Sequence, residues 1–263
     1  MNIEILYEDK DLMVLDKPAG IAVHSDGKNK KAKTVADWIL ENYPKLEKIG
    51  EPMEIEYKGE QIKISRPGIV HRLDKETSGA LLVAKNQKTF LFLKDQFQKH
   101  KIKKVYRAFV YGLVTDPKAS LATGKRGVIN VPIGRSVNDI RAYTAGRGAK
   151  DPIREATTEY IILKKFFDTK IEEEKKIQAH QFTFVEVYPK TGRTHQIRVH
   201  MRYINHPVVS DPIYAGTREK ALGMKRLALH AQSITFMKPN GEQKTVESPY
   251  PADFKKAIKS LGI

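Results

Sequence analysis

Cysteine is absent from the 263 residues, which excludes disulfides, thiolate metal sites and cysteine nucleophiles. A metal site would have to be built from histidines and carboxylates, and no His-Glu-x-x-His pattern is present. No apolar run approaches the roughly 18 residues that cross a bilayer. The N-terminal Met-Asn-Ile-Glu-Ile-Leu-Tyr-Glu-Asp also lacks the basic-then-apolar order of a signal peptide, so the cytoplasm is the expected location. Acidic residues are scarce: 31 Asp and Glu stand against 47 Lys and Arg, a net charge of +16. The natural partner of such a chain is a polyanion.

The basic residues gather in three places: Lys28, Lys30, Lys31 and Lys33; then Lys94, Lys99, Lys101, Lys103, Lys104 and Arg107; then Arg218, Lys220, Lys225 and Arg226. Any one cluster is as readily a solvated face as a binding site, but three together favour nucleic acid. A hydrophobic content of 40% is that of a folded protein. With neither an internal repeat nor a clear linker, residues 1–263 are expected to form a single domain.

Taken in order, residues 3–7 and 12–16 read as strands about a turn, and Lys17-Pro-Ala-Gly20 as a second turn before a strand at 21–24. Residues 25–33 form a lysine-rich loop, and Thr34 caps a helix that ends before Pro44. Residues 53–64 alternate about Lys58-Gly59 as a hairpin. Asn86 caps an amphipathic helix reaching Lys99, and residues 104–112 make a strand. Residues 115–152 read as a long irregular excursion in which only 127–133 is strand-like. Strands at 156–164 and 177–188 flank a charged turn, Thr194 caps a helix to Tyr203, 227–236 is a strand, and Pro251 opens a closing helix. Strands outnumber helices and connect mostly through hairpins. The expected fold is therefore α+β around a mixed, largely antiparallel sheet flanked by helices.

One stretch concentrates the chemistry. Residues 66–84 read as strand, loop and strand, and the loop carries His71, Arg72, Asp74, Lys75 and Glu76. Charges held between buried strands cost desolvation unless they are paired, so this loop needs a functional reason, and Asp74 is its leading candidate. His-Arg-Leu-Asp-Lys-Glu-Thr-Ser-Gly at 71–79 resembles the signature of the RluA-type pseudouridine synthase family. Further similar segments follow in the family's order: Lys104-Val-Tyr106-Arg-Ala-Phe-Val-Tyr-Gly112, Thr191-Gly-Arg-Thr-His-Gln-Ile-Arg198-Val-His200 and His206-Pro-Val-Val-Ser-Asp-Pro-Ile-Tyr-Ala-Gly216. The segment Asp-Lys-Pro-Ala-Gly at 16–20 is similar to the family's first motif, although it is also a good turn on chemistry alone.

The resemblance implies the pseudouridine synthase fold and an RNA uridine isomerase that detaches uracil from ribose and rejoins it through carbon-5, without cofactor or metal. It implies Asp74 as the catalytic carboxylate, acting either as nucleophile or as partner of a cationic sugar. Arg198 is implied as the cation that keeps Asp74 charged, and Tyr106 as the pocket tyrosine. Arg72 is implied to occupy the space left by the displaced uridine or to hold phosphate. His71, Lys104, Arg107, Arg193 and His195 are expected to join Arg72 in contacting or supporting RNA, with His71 orienting the loop. His200 receives no role. Ribosomal or transfer RNA is the expected partner, with no membrane and no obligatory protein partner, so a monomer is anticipated.

Two features depart from the family. Its pattern begins within ten residues of Met1, so no separate N-terminal RNA-binding module is expected, and Ser210 stands where relatives usually carry glycine. The rival function is a non-catalytic RNA-binding protein or RNA chaperone on the same fold. It gives no reason for Asp74, Tyr106 and Arg198 to occur together. A kinase reading of His-Arg-Leu-Asp fails because no Gly-x-Gly-x-x-Gly precedes it and no Asp-Phe-Gly follows.

Affinity for single-stranded RNA should fall steeply with salt, with a log-log slope of about −0.7 per phosphate contact. A salt titration of binding checks this. A flat dependence would mean that the basic clusters are only solvated faces.

Overall fold

The computed structural model describes residues 1–27, 32–57, 59–116, 126–169 and 179–262. The chain forms two compact units: Met1–Lys103 with Ala231–Pro249, and Lys104–His230 with Tyr250–Ile263. In both, antiparallel strands carry the core, in agreement with the α+β expectation. No helix among the described residues is long and apolar enough to cross a membrane.

In the first unit, β1 (Glu4–Glu8) pairs with β2 (Leu12–Lys17) about the turn read from the sequence, and β2 pairs with β5 (Ser78–Ala84). Beyond β5 lies β13 (Leu229–Met237, in this unit from Ala231), and β13 pairs with β14 (Gln243–Glu247). Helix α1 (Val35–Asn42) begins as expected: Thr34 and Asp37 form a reciprocal capping box. Pro44 ends it and opens a 3-10 turn, Pro44–Lys48. Helix α2 (Gln87–Gln98) is capped by Asn86, whose side chain accepts from Thr89 N at 2.9 Å. Its Phe90 and Leu93 pack with Leu12, Val14 and Leu82. The hairpin β3 (Met53–Tyr57) and β4 (Glu60–Ile64) is also present.

Three expectations require correction. Residues 21–24 are not a strand, because the carbonyls of Ala22 and Val23 accept from the N–H groups of Val35 and Ala36 at the start of α1. The apolar residues before the signature loop do not form a strand either. Gly68 adopts φ 64°, which breaks the extended run, and a single bridge, Ile69 to Val83, remains. The excursion over 115–152 is more ordered than expected. It contains β7 (Gly127–Asn130), and then β8 (Ile133–Ser136), β9 (Tyr143–Ala145) and β10 (Ala149–Arg154), which form a small sheet in the order β10-β8-β9. Strands of three to six residues rich in Gly and Arg leave too little periodicity to be read.

The second unit has strand order β6-β12-β11-β7, with β6 (Lys103–Tyr111, in this unit from Lys104), β11 (Thr157–Thr169) and β12 (Ala179–Pro189). All three of its pairings are antiparallel. The expected charged turn at 170–176, and Lys28, Lys30 and Lys31 of the lysine-rich loop, lie outside the described residues. Phe109, Phe166, Phe182, Phe184 and Phe254 centre the core of this unit, and α4 (Ala252–Ser260) supplies the last of them. Helix α3 is Gln196–Tyr203. Its expected Thr194 cap is a further correction: His195 occupies the N-cap position in a left-handed conformation, φ 56°, and makes no capping bond with its side chain. Gln196 instead secures this end. It accepts from Thr191 Oγ1 (2.7 Å) and Arg193 N (3.0 Å), and donates to Thr157 O and Thr158 Oγ1 (both 3.0 Å).

His200 is buried on α3, bonded to Thr158 Oγ1 at 2.8 Å and Val131 O at 3.0 Å. A carbonyl can only accept, so Nε2 carries the proton and Nδ1 takes the threonine hydroxyl. Burial pushes this histidine below its ordinary pKa. His24, buried in the first unit, is lowered by burial and by the charges of Arg72 and Arg66. Both are neutral in the native state, so their stabilisation is complete above the unfolded pKa near 6.5 and is lost as pH falls towards the lowered native values. Stability should therefore drop between pH 7.5 and 5.5, by at most about 1.4 kcal/mol per pH unit for each histidine. Urea unfolding at the two pH values should show a drop that shrinks in His200→Gln. Equal stability at both values would contradict the assignment.

Candidate active site

The loop carrying Asp74 is fixed at both ends by glycines that no other residue could replace without displacing backbone. A Cβ at Gly68 would meet Ala84 O at 2.0 Å, and one at Gly79, where φ is 117°, would meet Ala231 O at 2.2 Å. The neighbouring backbone approaches where a side chain would stand. Between them Leu73 and Thr77 are buried, Asp74 is half-buried, and Arg72 and Lys75 are exposed. Thr77 N donates to Asp74 O at 3.1 Å, closing a turn at the aspartate. His71 faces inwards: its Nε2 accepts from Leu82 N at 2.9 Å, and its ring stacks on Phe97 at 4.8 Å. His71 therefore ties the loop to β5, and Nδ1 bears its proton.

The loop is also held from below by Lys17, fully buried at the end of β2. Its ammonium donates to the carbonyls of Pro18 (2.9 Å), Ile21 (2.8 Å) and Lys75 (3.1 Å). The Lys75 carbonyl accepts in addition from Gly20 N at 2.8 Å. The Lys17-Pro18 turn is thus bonded directly to the residue that follows Asp74.

In the second unit, Lys104, Tyr106 and Arg107 lie on β6. Tyr106 is half-buried, pairs in register with Val187 and packs against the core. Lys104, two residues earlier and so on the same face of the strand, donates to Thr191 O at 3.1 Å, and burial lowers its pKa to about 8. Arg107 points elsewhere. It forms an ion pair with Glu186, its partner across β12, and donates to Tyr250 Oη at 3.0 Å. Its guanidinium is engaged within the fold, and Arg107 is not among the RNA contacts proposed below.

Arg193, His195 and Arg198 lie on the turn after β12 and on α3. Arg193 Nε donates to Glu155 O at 3.0 Å. His195 Nδ1 is 2.8 Å from Tyr214 Oη, and its ring meets Tyr143 and Tyr214 edge-on. Arg198 is buried, and its Nε and Nη2 donate to Asp211 at 2.7 and 2.9 Å. Asp211, Tyr214, Gln196 and Lys17 received no catalytic role from the sequence. The motif spanning 206–216 pointed to the first two; the other two lie in the segments 191–200 and 16–20, but the partners they bond are visible only in the fold.

The basic clusters are partly consumed by ion pairs: Lys33 with Glu41, Lys94 with Glu51, Lys99 with Asp95, and Arg226 with Asp253. Lys101, Lys103, Lys220 and Lys225 remain exposed, with no carboxylate partner among the described residues.

A family described as RNA pseudouridylate synthase matches residues 11–203. Among individual proteins, the chain is 36% identical over 262 residues to an uncharacterised RNA pseudouridine synthase of Bacillus subtilis, YlyB, covering 99% of this chain and 73% of that protein. It is 34% identical over 265 residues to the ribosomal large subunit pseudouridine synthase D of Neisseria meningitidis serogroup A, covering 96% and 59%. Among solved structures, human RNA pseudouridylate synthase domain containing 1 superposes with a TM-score of 0.68 at 24% identity, over 95% of this chain and 84% of that one. This last likeness is one of fold.

Proposed function

The chain belongs to the RNA pseudouridylate synthase family and is an RNA pseudouridine synthase; from that premise we propose that Asp74 is its catalytic carboxylate and that it modifies a specific uridine of ribosomal or transfer RNA. The observation that supports Asp74 most is its loop, anchored by a buried ammonium, an imidazole and two obligatory glycines so that the half-buried carboxylate of Asp74 is held in place. A binding protein has no use for such a constraint. The Neisseria relative's name makes ribosomal RNA the first substrate to test.

The reaction breaks the bond from C1′ to N1, turns the uracil and forms the bond from C1′ to C5; C5 gives up its proton and N1 takes one up, so substrate and product are isomers. Asp74 attacks C1′ or stabilises a cationic sugar. Arg198 is the cation that the family resemblance assigns to the reaction. Tyr106 offers a ring on which the detached uracil stacks and a hydroxyl able to act near C5. Phenol, with its ordinary pKa near 10, is a weak base, so a positioned water competes for the proton. Arg72 and Arg193, with the exposed lysines, contact phosphate or the space left by the displaced uridine, whose unstacking costs a few kcal/mol.

Asp74→Asn keeps the shape and removes the charge, so it should abolish product while RNA affinity stays within a few fold. Tyr106→Phe should bind RNA normally and form product very slowly, whereas Tyr106→Ala should lose both, since base-on-aromatic stacking contributes about 1 to 3 kcal/mol. Product measured in single turnover with enzyme in excess decides both. Wild-type rates in Asp74→Asn would remove the aspartate from the mechanism, and a wild-type rate in Tyr106→Phe would leave that residue only a stacking role.

A further inference from the structure

An arginine buried in a core is useful to a reaction only if its direction is fixed, and on this ground we infer that Asp211 and Tyr214 are positioning residues that aim Arg198. The inference rests on the part proposed for Arg198 above. Asp211 is buried and accepts four bonds: from Arg198 Nε (2.7 Å) at Oδ2, and from Arg198 Nη2 (2.9 Å), Ile213 N (2.9 Å) and Tyr214 N (3.0 Å) at Oδ1. The two backbone donors fix the carboxylate in its own turn, and its two oxygens then fix the plane of the guanidinium. Tyr214 controls the remaining direction. Its ring lies 4.9 Å from the guanidinium carbon, and its hydroxyl accepts from Tyr143 N at 2.9 Å and bonds His195 Nδ1 at 2.8 Å. The tyrosine is thereby held at both ends.

The turn has an unusual backbone at the residue before Asp211. Ser210 adopts φ 57°, a conformation that favours glycine, and holds it by donating from Oγ to Met224 O at 2.8 Å. The serine at this family glycine position therefore keeps the turn that presents Asp211. Stability alone does not account for the pair. A buried ion pair is often no more stabilising than apolar residues of the same volume, and removing one partner leaves an uncompensated charge. What the pair supplies that an apolar pair cannot is a charged group of fixed orientation.

The test compares single-turnover pseudouridine formation, RNA affinity and thermal melting of the whole chain as wild type, Asp211→Asn, Tyr214→Leu and Arg198→Gln, and with each of the first two combined with Arg198→Gln. Asp211→Asn retains an acceptor for the backbone donors and loses the charge. We expect the rate to fall about 10²-fold, the order associated with misplacing a group by about 1 Å, with RNA affinity within a few fold. In the Arg198→Gln background neither substitution should slow the reaction further, because nothing is left to aim. Equal slowing in both backgrounds would show a merely structural role and overturn the inference, as would a wild-type rate in Asp211→Asn. If Asp211→Asn does not fold, the comparison of Tyr214→Leu in the two backgrounds decides. An inactive Arg198→Gln beside a fully active Asp211→Asn refutes the positioning alone, whereas a fully active Arg198→Gln removes the role proposed for the arginine and the inference with it.

Discussion

The loop that carries Asp74 is tied to the opening hairpin by a buried ammonium. Burying a lysine costs several kcal/mol unless its charge and its three donors are met, and Lys17 meets that demand with the carbonyls of Pro18, Ile21 and Lys75. Two of these belong to the turn after β2 and the third to the signature loop, so the ammonium links turn and loop. The opening strands and the signature loop, distant in sequence, belong to one compact unit, in which β2 also pairs with β5. Substituting Lys17 would remove a donor from the Pro18 and Ile21 carbonyls and leave the Lys75 carbonyl with Gly20 N.

The second unit solves a similar problem with the opposite chemistry. Arg198 is buried among carboxylate and aromatic partners, and Asp211 and Tyr214 arise from one turn that Ser210 allows to close. Around it a hydrogen-bonded group of Thr191, Gln196, Thr158 and His200 joins the start of α3 to β11. Gln196, Thr158 and His200 are polar and buried, and their donors and acceptors match. Such matching makes polar networks rigid.

Much of this was legible in the sequence where the cause is local. Thr34, Asn86 and Pro44 mark helix ends through their own chemistry, and the structure places the ends there. Local reading failed where a distant partner decides. Residues 21–24 look extended but spend their carbonyls on α1, and the short strands of the β10-β8-β9 sheet are specified by packing of Ile133 and Ala145 with Val199 and Tyr214 rather than by their own pattern. The basic run around Arg107 likewise gives no sign of Glu186, its ion-pair partner across the sheet. Asp74, Tyr106 and Arg198 were identified by resemblance to a motif. The physical reading of the residues contributed only that a charged loop beside apolar runs needs a purpose. Asp211 shows the limit from the other side: its motif was visible, but its partner was known only once the turn and α3 could be seen together.

The central claim is that this chain makes pseudouridine in RNA through Asp74. The most direct test maps pseudouridines across ribosomal and transfer RNA in cells that carry the gene, in cells that lack it, and in cells where it is restored as wild type or as Asp74→Asn. The account predicts that a small set of uridines loses its modification without the gene, regains it with the wild type and does not regain it with Asp74→Asn. Identical maps with and without the gene, or full restoration by Asp74→Asn, would contradict it.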